Sequence, residues 1–246
     1  MSEPEAPAPA APPTSPPAWR GRLGRLSPAH GWPSFFTELV VVVLGILLAL
    51  GAQQAADWWN NRNDTIEFRA ALDEEIAGNL AQYRERLKQA DCTKRRLDQL
   101  EAWQRDWRDG KGSGIEGEIG RPLAYPPANT IWPMGANGVA NRIPLDQRSV
   151  YAYLSDMSAG YLQLATMEME VWRGLLAYDS ATRLSPEEVN RLRGLILSAR
   201  ALDKSIRLNA GYAMQAGTEG LGIKIPKDPS YPLSLTGLCT PLRFTK

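Results

Sequence analysis

Residues Glu38 to Trp59 read ELVVVVLGILLALGAQQAADWW, and the reading of the uninterrupted apolar core from Leu39 to Ala52 decides how the rest of the chain is placed. That core has the length of a signal-peptide h-region and falls short of the roughly 20 residues that cross a bilayer. Extended from Phe35 to Ala56, the segment has 22 residues. As a helix it measures roughly 33 Å at 1.5 Å per residue, enough to cross the hydrocarbon. Trp32, Phe35 and Phe36 flank one end and Trp58 and Trp59 the other, where interfacial aromatic residues belong. The one small-x-small cleavage pattern, Ala49-Leu50-Gly51, is followed by more helix-compatible sequence. A retained transmembrane helix over 35–56 is the expectation, and a cleaved signal is the competing reading.

Residues 1–34 form a Pro/Ala-rich tail, beginning SEPEAPAPAAPPTSPP after the initial Met, that has too little apolar surface to build a core and is expected to be disordered. Arg20, Arg22 and Arg25 precede the span, while Arg62 and Arg69 follow it. This small excess of basic residues points to a cytoplasmic N-terminus and an exported main domain. Cys92 and Cys239 agree with export if they form a disulfide; two buried reduced thiols are the alternative. At 100° per residue Glu38 shares a stripe with Gly45, Ala49, Ala52 and Ala56. Such a face of small residues can pack closely against another membrane helix, or it can reflect only the commonness of small residues there.

The 28 basic and 27 acidic residues are interspersed, so no global field draws the chain to nucleic acid. The single histidine, His30, precedes the span, which removes histidine-dependent triads and zinc sites from the domain at 57–246. No catalytic residue, metal or cofactor is assigned. Apolar residues at Leu72, Ile76, Leu80, Tyr83, Leu87, Ala90, Leu97 and Leu100 recur in steps of three and four, with one skipped position at Lys94, and predict one long amphipathic helix ending before Gly110. Residues 110–144 are dense in Gly and Pro and read as a long loop, with a short helix near Ile131 to Arg142. The Gly-Lys-Gly-Ser-Gly within it has the wrong spacing for a phosphate-binding loop.

A second helix is expected from Asp146 to about Tyr178. Ser185-Pro186-Glu187-Glu188 then supplies an N-cap, a first-turn proline and a capping-box glutamate, starting a third helix that runs to Gly217. The fold class is therefore all-α: the membrane helix continues into a three-helix antiparallel bundle, with a long Gly/Pro-rich loop and an irregular C-terminal strap over 220–246. A Cys92–Cys239 bond would clamp that strap to the first helix.

The acids Asp73, Glu74 and Glu75, and the pair Glu168 and Glu170, are read as solvated faces. Trp103 and Trp107, four apart at the end of the first helix, either staple the following loop or offer a stacking surface to a ligand or partner, and Trp132 in the loop is a further candidate.

Glu38 with LVVVVLGILLAL, then Trp58-Trp59, Arg62, Glu67 and the run LDEEIAGNL at Leu72 to Leu80, resembles a widespread family of uncharacterised bacterial single-span inner-membrane proteins. In that family an acidic residue opens a short membrane helix, followed by a tryptophan and an amphipathic helix with an "L..EI..N" turn. The segment from Ile131-Trp132 to Pro144-Leu145 is similar too, and the likeness is fullest over 34–82. The resemblance implies a bacterial inner-membrane protein with a periplasmic helical domain, and it implies no activity. The expected function is a membrane-anchored, non-enzymatic envelope interaction or assembly module with a protein partner or a second copy of itself; the alternative is a small-ligand or envelope-stress sensing module.

Overall fold

A computed structural model of the chain describes residues 32–123, 125–227 and 237–245; the expected tail falls almost wholly outside them. The described residues are mostly helical, with α1 at Trp32–Lys88, α2 at Ala90–Arg108, a short α3 at Ile131–Gly135, α4 at Leu145–Leu176 and α5 at Pro186–Gln215. Two two-residue strands, β1 at Ile115–Glu116 and β2 at Arg243–Phe244, pair antiparallel.

The chain divides into two compact units, residues 1–56 and 57–246. In the first, α1 contains one segment long and apolar enough to cross a membrane, and none of its most apolar window is buried. Leu48, for example, is 73% exposed.

The second unit holds two apolar clusters. One gathers Leu97, Leu100 and Trp103 of α2, Trp172 and Leu175 of α4, and Leu192, Ile196 and Ala199 of α5. The other gathers Leu72, Ile76, Leu80 and Tyr83 of α1, Tyr151, Leu154 and Tyr161 of α4, and Ile206, Ala210 and Ala213 of α5. The order of these residues along each helix fixes direction. From the second cluster to the first, α1–α2 and α4 both run forward in sequence, and α5 runs back. A simple antiparallel alternation of three helices would have turned α4 against α1. The 109–144 connection instead returns along α1 before α4 starts, which is why it is so long.

The expected single helix over 72–108 is broken at Gln89, which sits between α1 and α2. Its side-chain amide donates to Leu123 O at 2.9 Å and accepts from Leu123 N at 2.8 Å. The Ser185 capping box forms as expected: Glu188 N donates to Ser185 Oγ at 3.2 Å and Ser185 N to Glu188 Oε2 at 2.6 Å. Short helices near 131–142 are present as α3 and a 3-10 turn at Val139–Arg142.

Cys92 and Cys239 are disulfide-bonded across a sequence separation of 147. Beside the bond, the buried Arg96 donates to the carbonyls of Gly237, Leu238 and Thr240. The described C-terminal residues are thus held to α2 by one covalent bond, the Arg96 guanidinium and a hydrogen bond from Leu242 N to Gln99 Oε1 at 3.4 Å. Gly120, at φ +66°, lies so close to Gly237 that an added Cβ would come within 2.7 Å of its backbone, so glycine is required there both for the turn and for the approach.

Candidate functional site

Between the two apolar clusters lies a layer of buried charge. Arg86 near the end of α1 is 0% exposed, Glu168 of α4 is 3% and Asp203 of α5 is 5%. One nitrogen, Arg86 Nη2, donates to Glu168 Oε1 at 2.7 Å and to Asp203 Oδ1 at 3.0 Å. Arg207, one turn along α5, donates to the other Asp203 oxygen at 2.9 Å. The remaining guanidinium atoms, Nε and Nη1, have no acceptor. Burial raises the Glu168 pKa more than the adjacent Arg86 charge lowers it, and Asp203 adds a like charge. Tyr83, buried above this layer, donates to Ser158 Oγ at 3.3 Å, and burial pushes its phenol up to about 12.

Glu168 also lines a cleft of about 190 Å³ between Arg121, Pro122 and Pro126 of the long loop and one face of α4. Its walls are largely apolar, from Pro122, Pro126, Leu162, Ala165, Met169 and Trp172, and Arg121 supplies a guanidinium. The Trp172 indole N–H faces the same carboxylate and favours its charged form, without meeting full hydrogen-bond geometry.

The loop that forms the outer wall is tied to residues 75–89 at three places. Gln89 grips Leu123 as described above. Asn79 Nδ2 donates to Ala128 O at 2.6 Å while its Oδ1 accepts from Ala128 N at 2.9 Å. Glu75 Oε2 accepts from Thr130 N at 3.0 Å and from Thr130 Oγ1 at 2.6 Å. Glu75 and Asn79 are the polar residues of the "L..EI..N" turn, and the loop they hold leads straight into Ile131-Trp132. The two segments that carry the family resemblance therefore meet in space.

Several sequence readings change here. Glu168 is not on a solvated face, because it turns inward to meet Arg86, whereas Glu170 is exposed and pairs with Arg173 at 2.7 Å. Asp73 accepts from the Tyr151 hydroxyl at 2.6 Å and Glu75 from Thr130, leaving only Glu74 of that acidic run fully exposed. Trp103 is 1% exposed, and both its N–H and that of Trp107 donate to Ser113 O, at 2.6 and 3.0 Å. They pin the Gly-rich loop to the end of α2. Trp132 is not with them; it stacks on Tyr151 in the other cluster, with ring centroids 6.4 Å apart. Glu38, Gly45, Ala49, Ala52 and Ala56 all lie on the exposed part of α1.

Arg86, Gln89 and Asp203 escaped sequence reasoning. A signal existed for Arg86, which occupies a core position of the helical repeat three residues after Tyr83. Among the described residues no group of three or more His, Cys, Asp or Glu is placed to hold a metal ion. Comparisons with protein-family models, curated proteins and solved structures found no match.

Proposed function

We propose that this chain is a membrane-anchored, non-enzymatic helical protein of the bacterial inner membrane, with a cytoplasmic N-terminus and a periplasmic domain that binds another envelope protein or a second copy of itself. The observation that carries this reading is the bare apolar segment of α1. Burying a Val or Leu side chain is worth roughly 1.5–3 kcal/mol, so a dozen left in water is a cost that a bilayer removes. The Cys92–Cys239 bond supports an oxidising compartment for the domain. The small-residue stripe from Gly45 to Ala56 below Glu38 supports close helix packing in the membrane. Purification of the full chain in mild detergent tests the assembly reading: a stoichiometric partner or a stable dimer is expected, and a lone monomer at every concentration overturns it. A reporter fused after Lys246 that works only in the cytoplasm overturns the topology.

A second reading, small-ligand sensing, is favoured by one observation, the apolar cleft that has the Trp172 indole and the Glu168 carboxylate together in its lining. Its ligand would offer an acceptor to the indole and an apolar body to the proline-lined wall. Thermal shifts with cell-wall fragments, sugars and short peptides test it, and Trp172→Phe should abolish any shift found.

A further inference from the structure

Just after the apolar segment, the second unit presents a groove of about 290 Å³ lined by Trp58, Asn61, Arg62, Thr65, Ile66, Arg69 and Arg142. Three of these residues are arginines, and none is acidic. The helical repeat explains why. At 100° per residue Trp58, Thr65, Ile66 and Arg69 fall within about 60° of Arg62, whereas Asp57, Asp64 and Glu67 lie about 140° or more away. Asp57, Asp64 and Glu67 therefore occupy the opposite face of α1; Asp73, one turn beyond Arg69 on the groove's own face, is engaged by the Tyr151 hydroxyl and absent from the lining, so the uncompensated positive charge lies at Arg62 and Arg142.

The fold then adds a cation that the repeat does not contain. Arg142, from the 3-10 turn before α4, reaches over to donate to Asn61 O at 3.5 Å. Among the described residues none of the three arginines is in an ion pair. Arg62 stacks over Trp58 at 5.6 Å, and Arg69 faces the Tyr151 hydroxyl. Trp58 is 59% exposed, an amphipathic ring left on the surface beside two forked donors.

We infer that Arg62 and Arg142 form a phosphate clamp for the headgroup of an anionic phospholipid, with Trp58 set at the hydrocarbon boundary. The inference rests on the reading of residues 35–56 as a retained span. Arg62 follows Ala56 by six residues, about 9 Å as helix, so its side chain reaches the headgroup layer. Guanidinium groups match phosphate oxygens in bidentate geometry, and juxtamembrane arginines gain from anionic lipid.

The test uses the full chain. Flotation with neutral phosphatidylcholine vesicles and an alkaline wash first establishes insertion. Native mass spectrometry from detergent, with phosphatidylglycerol or phosphatidylcholine added, then reads the bound lipid. A preference for phosphatidylglycerol is expected, falling roughly fivefold for each arginine removed in Arg62→Ala and Arg142→Ala. The control Lys111→Ala/Lys204→Ala, whose lysines are remote from the groove in sequence and absent from its lining, should retain the preference.

A chain that floats but shows no preference, or a preference that survives the double Arg62→Ala/Arg142→Ala change, overturns the headgroup site alone. Loss of the preference in the lysine control also overturns it, in favour of nonspecific charge. Displacement of the lipid by millimolar inorganic phosphate overturns the membrane source of the ligand. A chain that floats with no vesicle overturns the span and the clamp together.

Discussion

Arg86 joins two carboxylates through a single nitrogen in the middle of the domain, where water cannot repair a lost partner. Removing one member of a buried ion pair strands the other charge, so Arg86→Ala is expected to destabilise the domain by about 3–5 kcal/mol in urea unfolding. The triple change Arg86→Met/Glu168→Leu/Asp203→Leu should cost less than Arg86→Ala alone, because it removes the charges along with their attraction. A triple variant weaker than the single would contradict that account. Glu168 gives the layer a pH dependence. Its folded pKa is raised, so the unfolded carboxyl, near its ordinary value of about 4.3, loses its proton first as pH increases. The folded state then binds more protons than the unfolded one, and stability falls through that window. Wild type should therefore lose ground to Glu168→Gln as pH climbs from about 4 until the folded carboxyl ionises. Parallel unfolding curves for the two from pH 4 upward would show that burial does not govern this group.

The helices and their connections set where those residues meet. The start of α5 is locally encoded, so Ser185→Ala should cost about 1 kcal/mol in thermal unfolding and leave the rest of the domain in place. The C-terminal segment depends on distant chain. Its disulfide closes a loop across 147 positions, and in the chain-entropy model such closure is worth about 5 kcal/mol. Cys92→Ser/Cys239→Ser should lower the guanidinium midpoint accordingly. Because Arg96 still holds three carbonyls of the segment, proteolysis of the double variant in buffer should begin more slowly than in one that also carries Arg96→Ala. Equal rates would mean that the guanidinium adds nothing once the sulfur bond is gone.

At the scale of the molecule, the proposal that 35–56 lies in a bilayer requires that a change in that segment be silent in the helical domain. Leu47→Arg puts a charge near the centre of the apolar segment, where insertion costs about 2.5–3.5 kcal/mol. Reduced recovery in the membrane fraction after alkaline extraction is expected, with unchanged urea unfolding of the helical domain. Full recovery of the variant would count against a bilayer as the environment of 35–56.

Much of this architecture was legible in the sequence because it depends on neighbours. Hydrophobic period, the Ser185-Pro186 cap and the length of the apolar run are short-range properties, and they located the helices, the α5 start and the candidate span. The site was less legible. Glu168 looked like a surface acid because its inward turn depends on Arg86, 82 positions away. Gln89 broke a helix that the apolar repeat carried straight through, because its amide is engaged by Leu123 of the returning loop. Trp103, Trp107 and Trp132 were three candidates for one surface, and they divide between two clusters. The sequence alone determined a mostly helical chain with one strongly apolar segment, since backbone propensity and periodicity act within a few turns. Tertiary structure decided the direction of α4, the buried charge layer and the position of Arg142 beside Arg62, since pairing and desolvation energies depend on which distant groups share a low-dielectric space.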